Sequence, residues 1–129
     1  PRIGAGVIGE LAEEEPLESF LERIARYFRT DQLRYSVTPK THVKRIAICR
    51  GAGAFLWPKA RRAGADILII GEAKYNDYFD VADSILLAVV GHYESERCTV
   101  DLFHEIISSK HPTFALRNSE TSINPITYL

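Results

Sequence analysis

The chain has 129 residues, 46% of them hydrophobic and 26% charged, with a formal net charge of −1, values ordinary for a globular domain. Its lysines and arginines are scattered among acids and form no stripe that could track a phosphate backbone, which argues against nucleic acid as a partner. No apolar run approaches the roughly 20 residues that span a bilayer, and Cys49 and Cys98 have neither CxxC nor zinc-ribbon spacing, so a cytoplasmic protein away from the membrane is expected.

There is no methionine, and the opening Gly4-Ala5-Gly6-Val7-Ile8-Gly9-Glu10-Leu11 reads like the interior of a longer protein. A fragment of such a protein is therefore expected, the alternative being a short protein whose initiator was cleaved before proline. From Leu17 to Phe28, apolar side chains recur at Leu17, Phe20, Leu21, Ile24, Ala25 and Phe28, the stripe of an amphipathic helix, with Pro16 at its start. Leu33 to Val37 is a short strand candidate. Val43 to Cys49, rich in β-branched residues, is a second. Arg50-Gly51-Ala52-Gly53-Ala54 then turns the chain into a helix near Phe55 to Ala63, stopped by Gly64.

Asp66 to Gly71 carries an unbroken apolar run, as in a strand buried on both faces of a parallel sheet. Tyr75 to Asp83 predicts a short helix and Ser84 to Val90 a further buried strand. A helix over about Ser95 to Ser109 presents Val100, Phe103, Ile106 and Ile107 on one face. Pro112 to Leu116 predicts a last strand, and Asn118 to Leu129 a polar tail. Alternating strands and helices specify an α/β sandwich, one lobe over 1–129, with helices packed on a largely parallel or mixed sheet.

Ligands in such folds collect at the carboxyl ends of the strands. Three segments fall there: Arg50 to Ala54, Gly71 to Asp77 and Gly91 to Arg97, which are expected to be neighbours in space. The first has glycines beside a helix start, as phosphate-binding turns do, but it lacks the full glycine-rich pattern, and Gly-x-Gly turns are common for steric reasons. The third reads Gly91-His92-Tyr93-Glu94-Ser95-Glu96. A histidine nitrogen followed four residues later by a carboxylate is a ligand pair suited to Zn, Fe, Mn or Co. The competing reading is ordinary helix chemistry, with Ser95 as N-cap and acids in the first turn, although nothing in capping requires His92. His42, His104 and His111 show no comparable pattern.

These residues resemble the Nif-three-like dinuclear-metal-centre proteins, also called GTP cyclohydrolase I type 2 homologues. The GHYESE segment carries the likeness, together with Gly6 to Leu11, Val43 to Ala47, Ala63-Gly64-Ala65-Asp66 leading to Gly71, Lys74-Tyr75, Ser119-Glu120-Thr121 and Asn124-Pro125. The resemblance implies the C-terminal part of a two-lobe protein that assembles as a homohexamer and holds two divalent metal ions per site. It maps two metal ligands onto His92 and Glu96 and assigns the rest to the absent N-terminal lobe. Where the family tends to carry an aspartate and a histidine in a GD-x-x-x-H segment, this chain has Glu72 and Asn76. Glu94, Glu72, Asn76 and Asn124 are thus candidates to support the site or touch substrate. The implied activity is metal-dependent hydrolysis of phosphoester or cyclohydrolase type. A non-catalytic metal-binding scaffold or regulatory oligomer is the alternative, and the chain on its own is expected to be inactive.

Overall fold

The computed structural model describes residues 4–121 and 123–128. The chain divides into two compact units, one ending at Ser95 and one beginning at Glu96. In the first unit, β1 (Val7–Pro16), α1 (Leu17–Phe28), β2 (Arg34–Tyr35), β3 (His42–Cys49), α2 (Trp57–Arg62, after a 3-10 turn at Ala54–Leu56), β4 (Ile67–Ile70), α3 (Tyr75–Asp80) and β5 (Leu86–Val89) follow one another. The sheet order is β1-β3-β4-β5-β2. Strands β3, β4 and β5 are parallel, and both edge strands run antiparallel to their neighbours, β1 to β3 and β2 to β5. The fold is therefore mixed α/β, as the alternation specifies.

The central strands divide their side chains between two layers because successive residues of a strand point to opposite faces. Ile67, Ile69, Leu86, Ala88 and Val90 join Phe20, Leu21 and Ile24 of α1 on one side of the sheet. Leu68, Ile70, Leu87 and Val89 join Ala60 of α2 and Val81 after α3 on the other. Complete burial of Ile67, Ile70, Leu86 and Leu87 stabilises by about 1.5–3 kcal/mol for each side chain. These unbroken apolar runs belong to strands covered on both faces.

Helix α1 starts where the stripe begins, with Pro16 at the N-cap and the Leu17 amide donating to the Thr41 carbonyl at 2.8 Å. It ends at Arg29 in the left-handed region, φ 53°, where the Thr30 amide reaches back to Ala25. The strand expected over Leu33 to Val37 contracts to two residues. Beyond them Ser36 is buried, exchanging two bonds with Leu87: its amide donates to the Leu87 carbonyl, and its Oγ accepts from the Leu87 amide.

Strand β1 departs from the sequence reading, which foresaw no strand there. Most of its side chains are exposed, and it forms because its backbone pairs with β3 from Val7↔Ile48 to Pro16↔His42, with an irregularity between Glu10 and Glu15. In the second unit, α5 (Cys98–Lys110) is helical as expected, but none of its residues is buried. The side chain of Phe103, for one, is exposed. The strand expected at Pro112 to Leu116 does not form: the Phe114 amide turns back onto the His111 carbonyl, and Pro112 has no amide to give a ladder. Among the described residues, no helix is long and apolar enough to cross a membrane.

Asp66, one residue before β4, ties the other end of the parallel strands together. Its carboxylate accepts from the Lys44 amide (3.0 Å), the Arg45 amide (2.9 Å) and Lys40 Nζ (2.9 Å). Burial opposes its ionisation, but the bonds from Arg45, Lys40 and Lys44 outweigh that penalty and hold its pKa below the ordinary carboxylate value. A depressed folded pKa adds stability that is complete above the unfolded value of about 3.9 and fades as pH falls through the folded value. Asp66→Ala is expected to destabilise by about 1–3 kcal/mol at neutral pH, because two amides lose their acceptor. Urea denaturation between pH 6 and 2 checks both points: the loss relative to wild type should shrink as pH falls through this window.

Candidate functional site

At the carboxyl ends of β3, β4 and β5 the three expected segments do come together, joined through their backbones. The Gly71 and Glu72 amides donate to the Gly51 carbonyl at 2.9 and 3.1 Å, and the Gly91 amide donates to the Gly71 carbonyl at 3.1 Å. One serine locks the arrangement. Ser95 is 2% exposed; its Oγ accepts from the Gly51 amide at 3.1 Å and donates to the His92 carbonyl at 2.8 Å.

Helix α4 (His92–Glu96) begins three residues earlier than expected, at His92 itself. Ser95 is accordingly not an N-cap. Its hydroxyl bonds back one turn and across to the end of β3, inside the helix. Gly91 makes the abrupt start possible, with φ 106°, a conformation open to glycine and rarely to other residues. The carboxylate of Glu94 lies where a Gly91 side chain would be.

His92 is exposed, and its Nδ1 is 2.9 Å from Oε2 of Glu72, the first residue beyond Gly71. Both side chains are about half-exposed, at 47% and 60%. An ion pair this open contributes roughly 0–1 kcal/mol to folding, so the pair's importance is not stability.

The remaining site candidates lie on different elements. Glu96 is exposed at the end of α4, where the second unit begins. Asn76 is exposed on α3. In the second unit, Asn124 Oδ1 accepts from the Ile126 amide at 3.1 Å, a local turn. Among the described residues no group of three or more His, Cys, Asp or Glu could hold a metal ion. A histidine with a carboxylate behind it is donor chemistry suited to such an ion, so the residues present fit one in kind and fall short in number.

Sequence reasoning missed two features, the Ser95 lock and the bond from Glu72 to His92. The first left a trace: Gly51 and Gly71, on adjacent strand ends, leave a slot for one small polar side chain. A Cβ on Gly71 would collide with Ser95 Oγ and press tightly on the Gly51 backbone. Gly71→Ala is expected to destabilise by about 1–3 kcal/mol through overpacking, and Ser95→Ala by about 1–3 kcal/mol through the unsatisfied Gly51 amide. Because the two substitutions compete for one slot, the double variant should lose less than the sum of the single losses, as a double-mutant cycle by denaturant unfolding would show.

The sequence pattern of the Duf34/NIF3 (NGG1p interacting factor 3) family matches residues 2–125. A GTP cyclohydrolase 1 type 2 homolog of Lactococcus lactis is 33% identical over 128 residues, covering 95% of this chain and 48% of that protein. A homolog of the same description from Staphylococcus epidermidis is 26% identical, covering 97% of this chain and 35% of the relative. Among solved structures, a Staphylococcus aureus protein superposes with a TM-score of 0.81 at 23% identity, over 96% of this chain and 42% of the other. A Bacillus cereus protein related to NIF3 superposes at 0.79 and 22% identity, over 98% of this chain and 36% of that one. The chain thus spans less than half the length of these relatives, and it belongs to the Duf34/NIF3 family.

Proposed function

We propose that this chain contributes His92 and Glu96 to a divalent-metal site whose other donors come from the rest of a longer protein, and that the completed site serves a metal-dependent hydrolase. The observation that carries the reading is the hydrogen bond between His92 Nδ1 and Glu72 Oε2 at 2.9 Å, at strand ends that the Gly51–Gly71–Gly91 lattice holds. A rigid frame presenting an oriented imidazole is what a metal ligand or an acid–base group requires. Glu96, four residues on in the same short helix, supplies a carboxylate of the kind that completes such donor sets.

When bound, two divalent ions would supply a water activated near neutral pH for attack on a phosphoryl or carbonyl centre. This chain's own part is to hold the imidazole still and to offer the carboxylate. Zn, Fe, Mn and Co all suit that nitrogen and oxygen chemistry. Assembly as a hexamer and a cytoplasmic location are parts of the same proposal, supported by the family relationship. The name carried by the curated relatives, GTP cyclohydrolase 1 type 2 homolog, supports the cyclohydrolase side of this reading.

The test is metal content of the intact protein, measured by elemental analysis beside a phosphoesterase and cyclohydrolase screen. His92→Ala and Glu96→Ala are each expected to lower bound metal at least tenfold and to abolish metal-dependent turnover, while leaving the unfolding midpoint within about 0.5 kcal/mol of wild type as exposed positions should. Metal bound without turnover in the unaltered protein would favour the scaffold reading. Unchanged metal in both variants would refute the site.

A further inference from the structure

A carboxylate can only accept a hydrogen bond, so the contact between Glu72 Oε2 and His92 Nδ1 requires a hydrogen on Nδ1 whether the ring is neutral or charged. In the neutral ring the basic lone pair is then on Nε2. Both partners stand on backbone that is held in place. The Glu72 amide is bound to the Gly51 carbonyl, the residue before His92 is bound through its amide to Gly71, and the His92 carbonyl accepts from Ser95. Two backbone segments from adjacent strands are thus set so that the side chains meet.

We infer that Glu72 is the positioning residue of His92: its carboxylate fixes the Nδ1–H tautomer and ring orientation and makes Nε2 the nitrogen that meets the metal. The metal half of the inference rests on the function proposed above; the tautomer half does not. Glu72 stands where the family pattern tends to carry aspartate, and the longer side chain still reaches the ring. Because the pair is half-exposed, its removal should leave folding almost unchanged, which separates a positioning role from a structural one.

Long-range proton–nitrogen NMR spectra of the intact, metal-free protein, at a pH where the His92 ring is neutral, give the first readout. The wild type should show His92 as the Nδ1–H tautomer, Glu72→Ala should shift it toward Nε2–H, and Glu72→Gln, which keeps an acceptor oxygen, should preserve it. Zinc titration against a competing chelator gives the second. Glu72→Ala should weaken zinc binding about 10–100-fold, with Glu72→Gln recovering part of the loss and the unfolding midpoint unmoved in both. An Nε2–H tautomer in the wild type, or an Nδ1–H tautomer that survives Glu72→Ala, overturns the inference. So does unaltered zinc affinity in Glu72→Ala when His92→Ala lowers it. If His92→Ala leaves zinc affinity unchanged, the metal role of His92 and with it the metal half of the inference fall, while the tautomer result stands or fails by itself.

Discussion

The hydrogen-bond lattice between the Gly51, Gly71 and Gly91 segments governs the geometry of the strand ends. Parallel strands place their carboxyl ends side by side, but the loops that leave them diverge unless something holds them. Here the backbone amides of Gly71 and Gly91 continue the ladder for one step past β4 and β5, and the Ser95 hydroxyl closes the arrangement by taking the Gly51 amide. Three loops become one rigid platform. The lattice depends on side chains that are absent: with any Cβ at Gly71, neither the Gly51 backbone nor the Ser95 hydroxyl could approach as it does.

This platform explains why the residues of interest are exposed without being loosely placed. His92 and Glu72 present their side chains outward, yet each backbone is tied within a residue of a lattice bond. Exposed ion pairs ordinarily lose most of their Coulomb energy to the entropy of holding two side chains in register. Holding the two main chains in place beforehand removes part of that penalty, and what remains is direction: which nitrogen carries the proton and how the ring lies.

How much of this was legible in the sequence depends on whether a feature leaves a pattern in the residues that make it. The central strands were readable because two-sided burial writes itself as an uninterrupted apolar run, Ile67 to Ile70 and Leu86 to Val89. Helix α1 was readable for the same reason at a different period. Strand β1 was not, since Val7–Pro16 owes its form to pairing with β3 and buries almost none of its own side chains. Ser95 misled in an instructive way. A serine ahead of a helical pattern normally caps it, and only the bond to Gly51, 44 residues away in sequence, shows that its partner lies on another strand. The contact between Glu72 and His92 spans 20 residues and has no local signature either, although both residues could be singled out.

The acids around the strand ends have different occupations, and the difference narrows the chemistry available. Asp77 is engaged at the start of α3, where its carboxylate accepts from the Lys74 amide at 2.6 Å. Glu94 lies over Gly91, in the space that glycine leaves at the helix start. Glu72 is turned to the imidazole, its Oε2 lying 2.9 Å from His92 Nδ1. His92 is also the one histidine in the three strand-end segments, since Asn76 occupies the position where the family pattern tends to carry another. Within these three segments the imidazole is that of His92, and the carboxylate set against its Nδ1 belongs to a glutamate in the loop that follows the neighbouring strand.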